Sequence, residues 1–455
     1  MPTLRLNDPL VQNVLAGIII GLGPGMYLAI TALGAGGGPA NETQMVNLAN
    51  SVLYAVWFLV GWFSGSVVTT FGPKATFLIG TLGYPIYVGS LWYFTNTAKE
   101  WFPIAAGAFL GLSANLLWTA GAYISFSYST EGSRGSFISM QWGLLSLFGS
   151  LGSVVAFGLN FNASKLQVPI AVYIVFILLM VSAFFVALFF IVKPSKVRRR
   201  DGTPLAHYPH QGIWQELKNQ RRLLQDWRLL VMFIPMLASE VALIVLSSLN
   251  SLYFNIRTRS LNSLMFNVMQ VVGAIFIGFM LDNSRISSRR ARGFVSVAVV
   301  ATIVIAGWIG LTVWLYKNPM DLLNPPLFDW TDGPFGGFFV LNLIFGMNMV
   351  IYQVTVQWII SSFTNDPEEL ARLAGLVKGV LAGGVAAAFG TEAAGLPQLQ
   401  VVAYNFTVQA VGLVLMAAVT WKCVTPTNYS KEENVIPPKA MQPEEKGVET
   451  AGVHQ

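Results

Sequence analysis

Twelve apolar runs of about 20 residues constrain this chain more than any other feature, because a helix needs roughly that length to cross a lipid bilayer. We predict spans at 10–33, 45–70, 75–96, 102–126, 137–160, 168–192, 229–253, 262–281, 293–316, 336–360, 370–394 and 400–423. Only 11% of the 455 residues are charged and 54% are hydrophobic, whereas soluble domains carry about 25% charged residues. The sequence therefore predicts an all-α, multi-pass membrane protein with the lipid bilayer as its first partner, and excludes an ordinary soluble enzyme.

Lysines and arginines predict the orientation of the spans, because short cytoplasmic loops are enriched in these residues. With both termini in the cytoplasm, 21 of the 27 basic residues lie on the inner side and five on the outer side. The net charge of +6 follows from this asymmetry and gives no reason to expect a nucleic-acid partner. Two sequons, at Asn41 and Asn162, fall in loops that this topology places outside, so both are candidate glycosylation sites. The sequence does not distinguish the plasma membrane from internal membranes.

A long hydrophilic stretch divides the spans into two sets of six. We predict an N-terminal bundle at 1–192, a basic cytoplasmic linker at 193–228, a C-terminal bundle at 229–424 and a cytoplasmic tail at 425–455, which is poor in large apolar residues and expected to be disordered. In the linker, Trp214, Leu217, Leu224 and Trp227 recur at helical intervals among basic residues. This pattern predicts an amphipathic helix, which either lies on the anionic leaflet or simply joins the bundles.

Corresponding loops of the two halves carry corresponding residues, which indicates an internal repeat. Each half has a Gly-x3-polar segment before a basic loop, and later a Glu-x2-Arg segment. The gating-loop candidates are Gly65, Gly72, Lys74, Glu131 and Arg134 in the first half, and Gly278, Asp282, Arg285, Glu369 and Arg372 in the second. The first copy has Thr69 where the second has Asp282.

This repeat resembles the loop signature of the major facilitator superfamily, in which two six-helix bundles rock about a central site. The segments Gly72-Pro73-Lys74, Leu117-Trp118-Thr119-Ala120-Gly121 and Ala371-Arg372-x-Ala374-Gly375 are similar to the Unc-93-like branch, and in particular to its fungal members. The resemblance implies twelve transmembrane helices in two pseudo-symmetric six-helix bundles. It also implies that an acidic side chain of the loop caps a neighbouring helix in one conformation only, so Thr69 departs from the pattern.

Two functions follow from the resemblance. Superfamily membership implies a facilitator-type transporter that moves an unidentified small solute by alternating access, through a cavity lined by spans four, five, seven, eight, ten and eleven. Some animal members of the branch are implied to act instead as trafficking chaperones or as regulatory partners of channels, so a non-transporting protein with a membrane-protein partner is the alternative. Thr69 favours the alternative because a carrier needs reversible gates, and the polar helix faces described below favour the transporter.

Two ionisable residues lie within predicted spans, where a charge is costly and usually functional. Glu240 lies about 16 Å into span seven, near the bilayer middle, and Lys378 lies in the inner third of span eleven. Glu240 is predicted either to carry a coupling proton or contact the solute, or to pair with Lys378 and fix the packing. Lys378 is predicted either to border the cavity or to extend inward beside Arg372.

Amide and aromatic side chains complete the candidate cavity. They are Asn267 and Gln270 on span eight, Asn342, Gln353 and Gln357 on span ten, Asn115, Trp118 and Tyr123 on span four, and Gln141 on span five. Such amides also form hydrogen bonds between helices in any bundle, and the aromatic residues also serve packing. No catalytic constellation, phosphate loop or metal-ligand spacing is recognisable in the sequence, so we predict no enzyme activity, no cofactor and no metal.

Overall fold

The computed structural model describes residues 5–32, 43–160, 170–206, 213–286, 288–320, 326–429, 432 and 434–442. The sequons at Asn41 and Asn162 lie outside these residues. Within the described residues, eleven apolar helical stretches are long enough to cross a membrane. One of them, Met45–Thr97, is 53 residues long and turns back at Gly72, so it contains two spans. The predicted all-α, multi-pass fold is confirmed.

Six spans of the N-terminal half are built from seven helices. These are α1 (Pro9–Ile20), α2 (Met26–Ala32), α3 (Thr43–Thr81), α4 (Gly83–Thr97), α5 (Trp101–Ser127), α6 (Arg134–Asn160) and α7 (Ile170–Phe190). A π-helical turn around Pro24 joins α1 to α2, because proline has no N–H to donate to a regular helix. Gly72 interrupts α3 with a φ of 78°, a conformation that glycine adopts without steric cost, and so separates span two from span three.

The C-terminal half follows the linker helix α8 (Ile213–Leu223). Its helices are α9 (Trp227–Leu237), α10 (Val241–Tyr253), α11 (Ile256–Leu281), α12 (Arg289–Lys317), α13 (Gly333–Ser361), α14 (Pro367–Ala393) and α15 (Gln398–Cys423). Span seven was expected as one helix, but it is broken at 238–240 between α9 and α10. The Ala238 carbonyl accepts a hydrogen bond from Gln409 Nε2 at 3.1 Å, so a side chain satisfies a backbone group that the break leaves free.

The most extensive contacts between the halves are those of α3 with α14 and of α6 with α11. In the α3–α14 pair the backbones touch. A Cβ atom added to Gly61 would lie 2.3 Å from the Cα of Gly379, and one added to Gly65 would lie 2.5 Å from the Cα of Arg372. The α6–α11 pair is less tight at its centre, where a Cβ on Gly143 would lie 3.6 Å from the Cβ of Ala274. Glycine thus permits a closer approach in the first pair.

The start of the chain, the linker and the residues after α15 lie on one face of the molecule, which we call the linker face. The Arg198 N–H donates to the Asn7 carbonyl at 3.1 Å, and Ala206 forms a backbone bridge with Val435. The Asn428 N–H donates to Glu131 at 2.8 Å. Among the described residues after α15, Asn428 makes specific hydrogen bonds to both bundles, where the sequence predicts a disordered tail.

Helix α8 packs on the protein through one side. It buries Glu216, Gln220 and Leu223, which recur at helical spacing, and it exposes Lys218, Arg221 and Arg222. The helix contacts α3. It is shorter than predicted, because it ends at Leu223 and the chain turns before a new helix begins at Trp227. The predicted amphipathic pattern therefore continues into span seven.

Candidate functional site

A cavity of about 1030 Å³ lies between the two halves and opens on the face opposite the linker. Helices α2 and α3 form its wall from the N-terminal half, and α10, α11, α13 and α14 form most of its wall from the C-terminal half. Three of the predicted site residues line it, namely Asn267, Gln270 and Asn342. The cavity is thus bounded by both halves, as a solute site between two moving bodies requires.

The remaining candidates lie outside the lining of this cavity, within the described part of the chain. They are Glu240, Lys378, Gln353, Gln357, Asn115, Trp118, Tyr123 and Gln141. The cavity also differs from the predicted one in its walls, because spans one and two take the places expected for spans four and five.

The cavity amides also join helices. Asn267 Nδ2 donates to Ser153 Oγ at 3.1 Å, and the Ser146 hydroxyl donates to Gln270 Oε1 at 3.1 Å, so both amides bond α11 to α6. Asn342 Nδ2 donates to the Asn262 carbonyl at 2.8 Å, which bonds α13 to α11. Each of these amides therefore both lines the cavity and forms a hydrogen bond between helices, which are the two roles that the sequence left open.

Three polar candidates of the N-terminal half serve packing in this conformation. Gln141 Nε2 donates to Asn13 Oδ1 at 2.8 Å and to the Gly121 carbonyl at 2.9 Å. The Thr119 hydroxyl donates to Asn115 Oδ1 at 3.2 Å. Tyr123 is buried and contacts the Tyr128 ring edge-on at 5.9 Å between centroids. These contacts lie within the N-terminal bundle.

Glu240 stands at the break in span seven. Its Oε1 atom accepts a hydrogen bond from Gln353 Nε2 at 2.6 Å, and Gln357 Nε2 donates in turn to Gln353 Oε1 at 3.2 Å. The three side chains form a polar chain between the broken helix and α13. A discontinuous helix that carries an acidic group is a common way to build an ion or substrate site in transporters.

Lys378 projects from α14 into an aromatic pocket of the N-terminal half. Its ammonium lies 4.6 Å from the centroid of the Trp118 ring and 5.1 Å from that of Trp142, which places it in the range of favourable cation–π contacts. Trp118 is held in turn by a hydrogen bond from its Nε1 to the Tyr84 hydroxyl at 3.1 Å. Lys378 therefore bridges the two halves near their centre.

Glu240 and Lys378 interact electrostatically, but the structure of the described residues has no ion pair between them within 4.0 Å. Lys378 contacts two tryptophans instead of pairing with Glu240 or extending beside Arg372, which were the alternatives that the sequence offered. Trp118 was among the candidates, whereas Trp142 was missed. The signal for Trp142 was its place one residue after the candidate Gln141 on the same helix.

On the linker face, Asp282 joins the α6–α11 pair. It accepts hydrogen bonds from the backbone N–H groups of Gly135 at 3.0 Å and Ser136 at 2.6 Å. A carboxylate at the start of a helix satisfies free N–H groups and interacts favourably with the helix dipole. Burial raises the pKa of the Asp282 carboxyl, although these hydrogen bonds and the charge of Arg292 act in the opposite direction.

Arg134 and Glu131 cross between the halves beside this cap. Arg134 donates to the Ser361 carbonyl, to the Thr364 carbonyl at 3.2 Å and to Asn365 Oδ1 at 2.9 Å. Glu131 forms a buried ion pair with Arg289 at 3.1 Å. Both residues come from the first Glu-x2-Arg segment, so that segment bonds the N-terminal half to the C-terminal half.

At the α3–α14 pair the carboxylate comes from the linker. Glu216 of α8 forms a bidentate ion pair with Arg372, with Arg372 Nε to Glu216 Oε1 at 2.9 Å and Arg372 Nη2 to Glu216 Oε2 at 2.7 Å. Glu368 lies 3.3 Å from the same arginine. Burial alone would raise the pKa of Glu216, but Arg372 and the hydroxyls of Ser66 and Thr69 lower it below its ordinary value.

Glu216 was not identified from the sequence. It stands beside Thr69, the position where the first copy of the repeat lacks an acid, so the linker supplies the missing carboxylate. The available signal was that Glu216 shares one side of the linker helix with the apolar residue Leu223, where a carboxylate would not be expected without a partner.

The other gating-loop candidates either allow helices to pack closely or make no ion pair in the part of the chain that the structure describes. Gly65 and Gly278 allow close packing, against Arg372 and Ser139 respectively, and Gly72 forms the turn between spans. Among the described residues, Lys74, Arg285 and Glu369 make no ion pair within 4.0 Å. Glu369 is therefore not the partner of Arg372, because Glu368 and Glu216 take that place.

The chain matches the Major Facilitator Superfamily over residues 14–391. It is 41% identical over 386 residues to an uncharacterized membrane protein of Schizosaccharomyces pombe, C6F6.04c, covering 85% of this chain and 79% of that protein. It is 30% identical to UNC93-like protein C922.05c of the same organism, covering 96% of this chain and 86% of that protein. The chain belongs to the UNC93-like branch of the major facilitator superfamily.

A solved structure shows the fold of this UNC93-like chain. The transporter FucP in its outward conformation superimposes with a TM-score of 0.60 at 12% sequence identity, covering 91% of this chain and 99% of FucP. The likeness extends over both bundles. The UNC93-like chain therefore has the complete facilitator fold, and the resemblance predicted from its loops is confirmed.

Proposed function

We propose that this protein is a non-enzymatic transporter that moves a small solute across its membrane by alternating access. The observation that carries the proposal is the asymmetry between its two faces. The cavity of about 1030 Å³ is open on one face, while on the linker face charged and polar side chains of both halves are buried against each other. A carrier needs such a closed gate in one conformation and its opening in the other.

The linker-face gate consists, in this proposal, of Glu216, Arg372, Asp282, Glu131 and Arg134. Each of these residues bonds the two halves to each other or to the linker. Polar contacts suit a reversible gate, because water can replace them when the halves separate, whereas a large apolar contact would resist opening. The absence of an acid at Thr69 favoured a non-transporting role, but Glu216 supplies a carboxylate at the same place.

Glu240 and Lys378 are the proposed coupling site. Glu240 sits at a broken helix and bonds Gln353, and Lys378 contacts tryptophans of the other half. Protonation of Glu240 would remove a negative charge from beside Lys378 and so change the balance of charge between the halves. We therefore infer that a proton or a charged solute acts at this pair.

Orientation follows from the basic residues of the linker face, which are expected in the cytoplasm. The termini and the linker then lie inside, and the open cavity faces the outside or the lumen of an organelle. The proposal is thus of an outward-open state with a closed cytoplasmic gate.

Distance measurements between spin labels test alternating access without a known solute. One label pair replaces Lys74 and Arg285 on the linker face, and a second replaces Lys99 and Leu399 on the opposite face, both in a Cys423→Ser background that removes the chain's single cysteine. In lipid nanodiscs we expect two populations, in which one distance lengthens as the other shortens. A single rigid state together with a stoichiometric co-purifying membrane protein would favour the chaperone or regulatory role instead.

A further inference from the structure

We propose that the cavity binds a zwitterionic solute with an apolar or aromatic body, of the chemical class of amino acids and their derivatives. The inference rests on the proposed transport function and adds the class of solute. It is carried by two charged side chains of opposite sign that line the cavity and do not pair with each other.

Arg259 and Glu392 are the charged residues among the described residues that line the cavity. Neither forms an ion pair within 4.0 Å in the described structure. The other polar groups of the lining are neutral, such as Asn267, Gln270 and Ser251. Both side chains are half-buried, and a charge that is partly withdrawn from water is stabilised by a partner of opposite sign, so these two groups match a ligand that carries both charges.

Glu392 is held in place with one oxygen free. Its Oε2 atom accepts hydrogen bonds from the Ser248 hydroxyl at 2.6 Å and from Gln398 Nε2 at 3.2 Å. Its Oε1 atom is buried and has no partner in the described structure. A carboxylate oxygen in this situation accepts a hydrogen bond from an ammonium group, which supplies three donors.

Arg259 is fixed through its backbone and leaves its guanidinium unused. Asn250 Nδ2 donates to the Arg259 carbonyl at 3.2 Å, and Asn262 Nδ2 donates to Asn250 Oδ1 at 2.8 Å. The guanidinium itself makes no hydrogen bond in the described structure, whereas Arg257, two residues earlier, is paired with Asp329. A guanidinium fork matches a carboxylate in two parallel hydrogen bonds.

Part of the cavity wall is apolar. Tyr54 and Phe389 contact each other at 5.8 Å between ring centroids, and both line the cavity beside Leu243 and Ile244. An apolar or aromatic body fits this wall, while the carboxylate and ammonium groups of the same solute match Arg259 and Glu392. The proposal therefore specifies both charged groups and the body of the solute.

Thermal unfolding of the full-length protein in mild detergent provides the test. The first probes are tryptophan, tryptamine, which lacks the carboxylate, and indole-3-propionate, which lacks the ammonium group; the other common amino acids are measured separately with their own matching amines and acids. A ligand that binds the folded state raises the unfolding temperature, and at equal concentration a ligand that binds more tightly raises it further. We expect at least one zwitterion to bind about tenfold more tightly than either of its matching compounds, the effect of one charge-assisted hydrogen bond.

Two substitutions separate the ends of the ligand. Arg259→Gln should weaken the binding of the zwitterion and of the acid about tenfold and leave the binding of the amine unchanged. Glu392→Gln should weaken the binding of the zwitterion and of the amine and leave the binding of the acid unchanged. Arg257→Gln is the matched control, because Arg257 is not among the residues that line the cavity. Binding in which no zwitterion exceeds its matching amine and acid, or which neither substitution alters, would overturn the proposal.

The spin-label distances keep this outcome separate from the proposed function. If both populations appear while no zwitterion binds, alternating access stands and the solute class is wrong. If zwitterions bind with the predicted pattern but each spin-label distance has a single population, the cavity is a binding site and the transport proposal fails.

Discussion

The two helix pairs with the most extensive contacts between the halves, α3–α14 and α6–α11, both use a carboxylate, but the two carboxylates come from different parts of the chain. At the α6–α11 pair, Asp282 of the repeat itself accepts hydrogen bonds from the first N–H groups of α6. At the α3–α14 pair the corresponding residue is Thr69, and the carboxylate comes from Glu216 of the linker. The comparison teaches that the fold fixes where a negative charge is needed, while a segment outside the repeat can supply it.

The pairs also differ in how closely their backbones approach. Glycines bring α3 and α14 together at Gly61 and Gly65, so the linker helix approaches Arg372 from the side of the pair. The α6–α11 pair keeps ordinary side-chain spacing at Gly143 and relies more on hydrogen bonds, such as that of Ser146 with Gln270. Close backbone contact and the carboxylate of the linker therefore stabilise the α3–α14 pair, whereas direct side-chain hydrogen bonds stabilise the α6–α11 pair.

Removing the charge of Glu216 should have the largest effect on this comparison. Glu216→Gln leaves buried Arg372 with Glu368 alone, and breaking a buried ion pair costs about 3 kcal/mol. We expect the linker-face distance between labels at positions 74 and 285 to shift mostly to the longer population. Lys218→Gln, on the exposed side of the same helix, should leave the distance unchanged.

A charge reversal distinguishes this gate contact from a loss of folding. The double variant Glu216→Arg with Arg372→Glu should restore part of the short-distance population, because the ion pair is reformed with its members exchanged. Unchanged distances in the single variant would show that the linker does not hold the gate.

Widening the α3–α14 contact should have the next largest effect. Gly61→Ala places a methyl group 2.3 Å from the Cα of Gly379, so the backbones must move apart at a cost of about 1–3 kcal/mol. The unfolding temperature in detergent should fall. The matched change Gly143→Ala in α6 meets Ala274 at an ordinary 3.6 Å and should be neutral or slightly stabilising. Equal effects of the two changes would contradict the difference between the pairs.

Neutralising Asp282, which caps α6, should change the linker-face distance less than neutralising Glu216 of the linker. Asp282→Asn keeps an oxygen that accepts a hydrogen bond and, like a protonated Asp282, carries no charge to bury in the closed gate. We therefore expect a modest gain of the population with the short linker-face distance. A shift towards the longer distance, as in Glu216→Gln, would show that the charge of Asp282 is needed to hold the gate closed.

The smallest effect is the response to pH, and the two carboxylates should act with opposite sign. The pKa of Asp282 is raised by burial in the closed gate, so closing takes up a proton and acid favours closure through this residue. The pKa of Glu216 is lowered beside Arg372, so closing releases a proton and acid opposes closure. The population with the short linker-face distance should increase as pH falls through the raised pKa of Asp282, and should then decrease below about pH 4.5, the ordinary pKa of glutamate.

The single variants assign the two parts of this pH profile. Asp282→Asn should remove the increase and keep the decrease, whereas Glu216→Gln should remove the decrease. A profile that neither variant changes would point to other titrating groups, and Glu240→Gln would then be the variant to measure.

Much of the fold follows from local sequence, because a bilayer imposes its thickness on every apolar run and glycines mark close helix contacts. The second-half loop with Asp282 and the Glu131–Arg134 segment were identified for the same reason, as short patterns that recur in both halves. The break in span seven had a local signal as well. Pro235 stands three residues before it, and a proline within a helix removes a backbone donor.

The contacts that sequence could not predict join residues distant in the chain. Glu216 and Arg372 are 156 residues apart, and no local pattern distinguishes Glu216 from the other charged residues of the linker. Lys378 reaches Trp118 and Trp142 only because three helices meet at one point. Arg259 and Glu392 were likewise unremarkable in sequence, since their importance lies in facing one cavity without a counter-charge.

The contacts of Glu131 have a consequence for biosynthesis. This buried carboxylate is bonded by Arg289, by Asn365 and by the backbone of Asn428, all of which are translated later. Asn428 follows Glu131 by 297 residues, a delay of about 15–60 s at ordinary rates of translation. A nascent chain therefore carries an uncompensated carboxylate at the membrane surface until Arg289 is translated, and the full set of Glu131 contacts forms only after Asn428 follows.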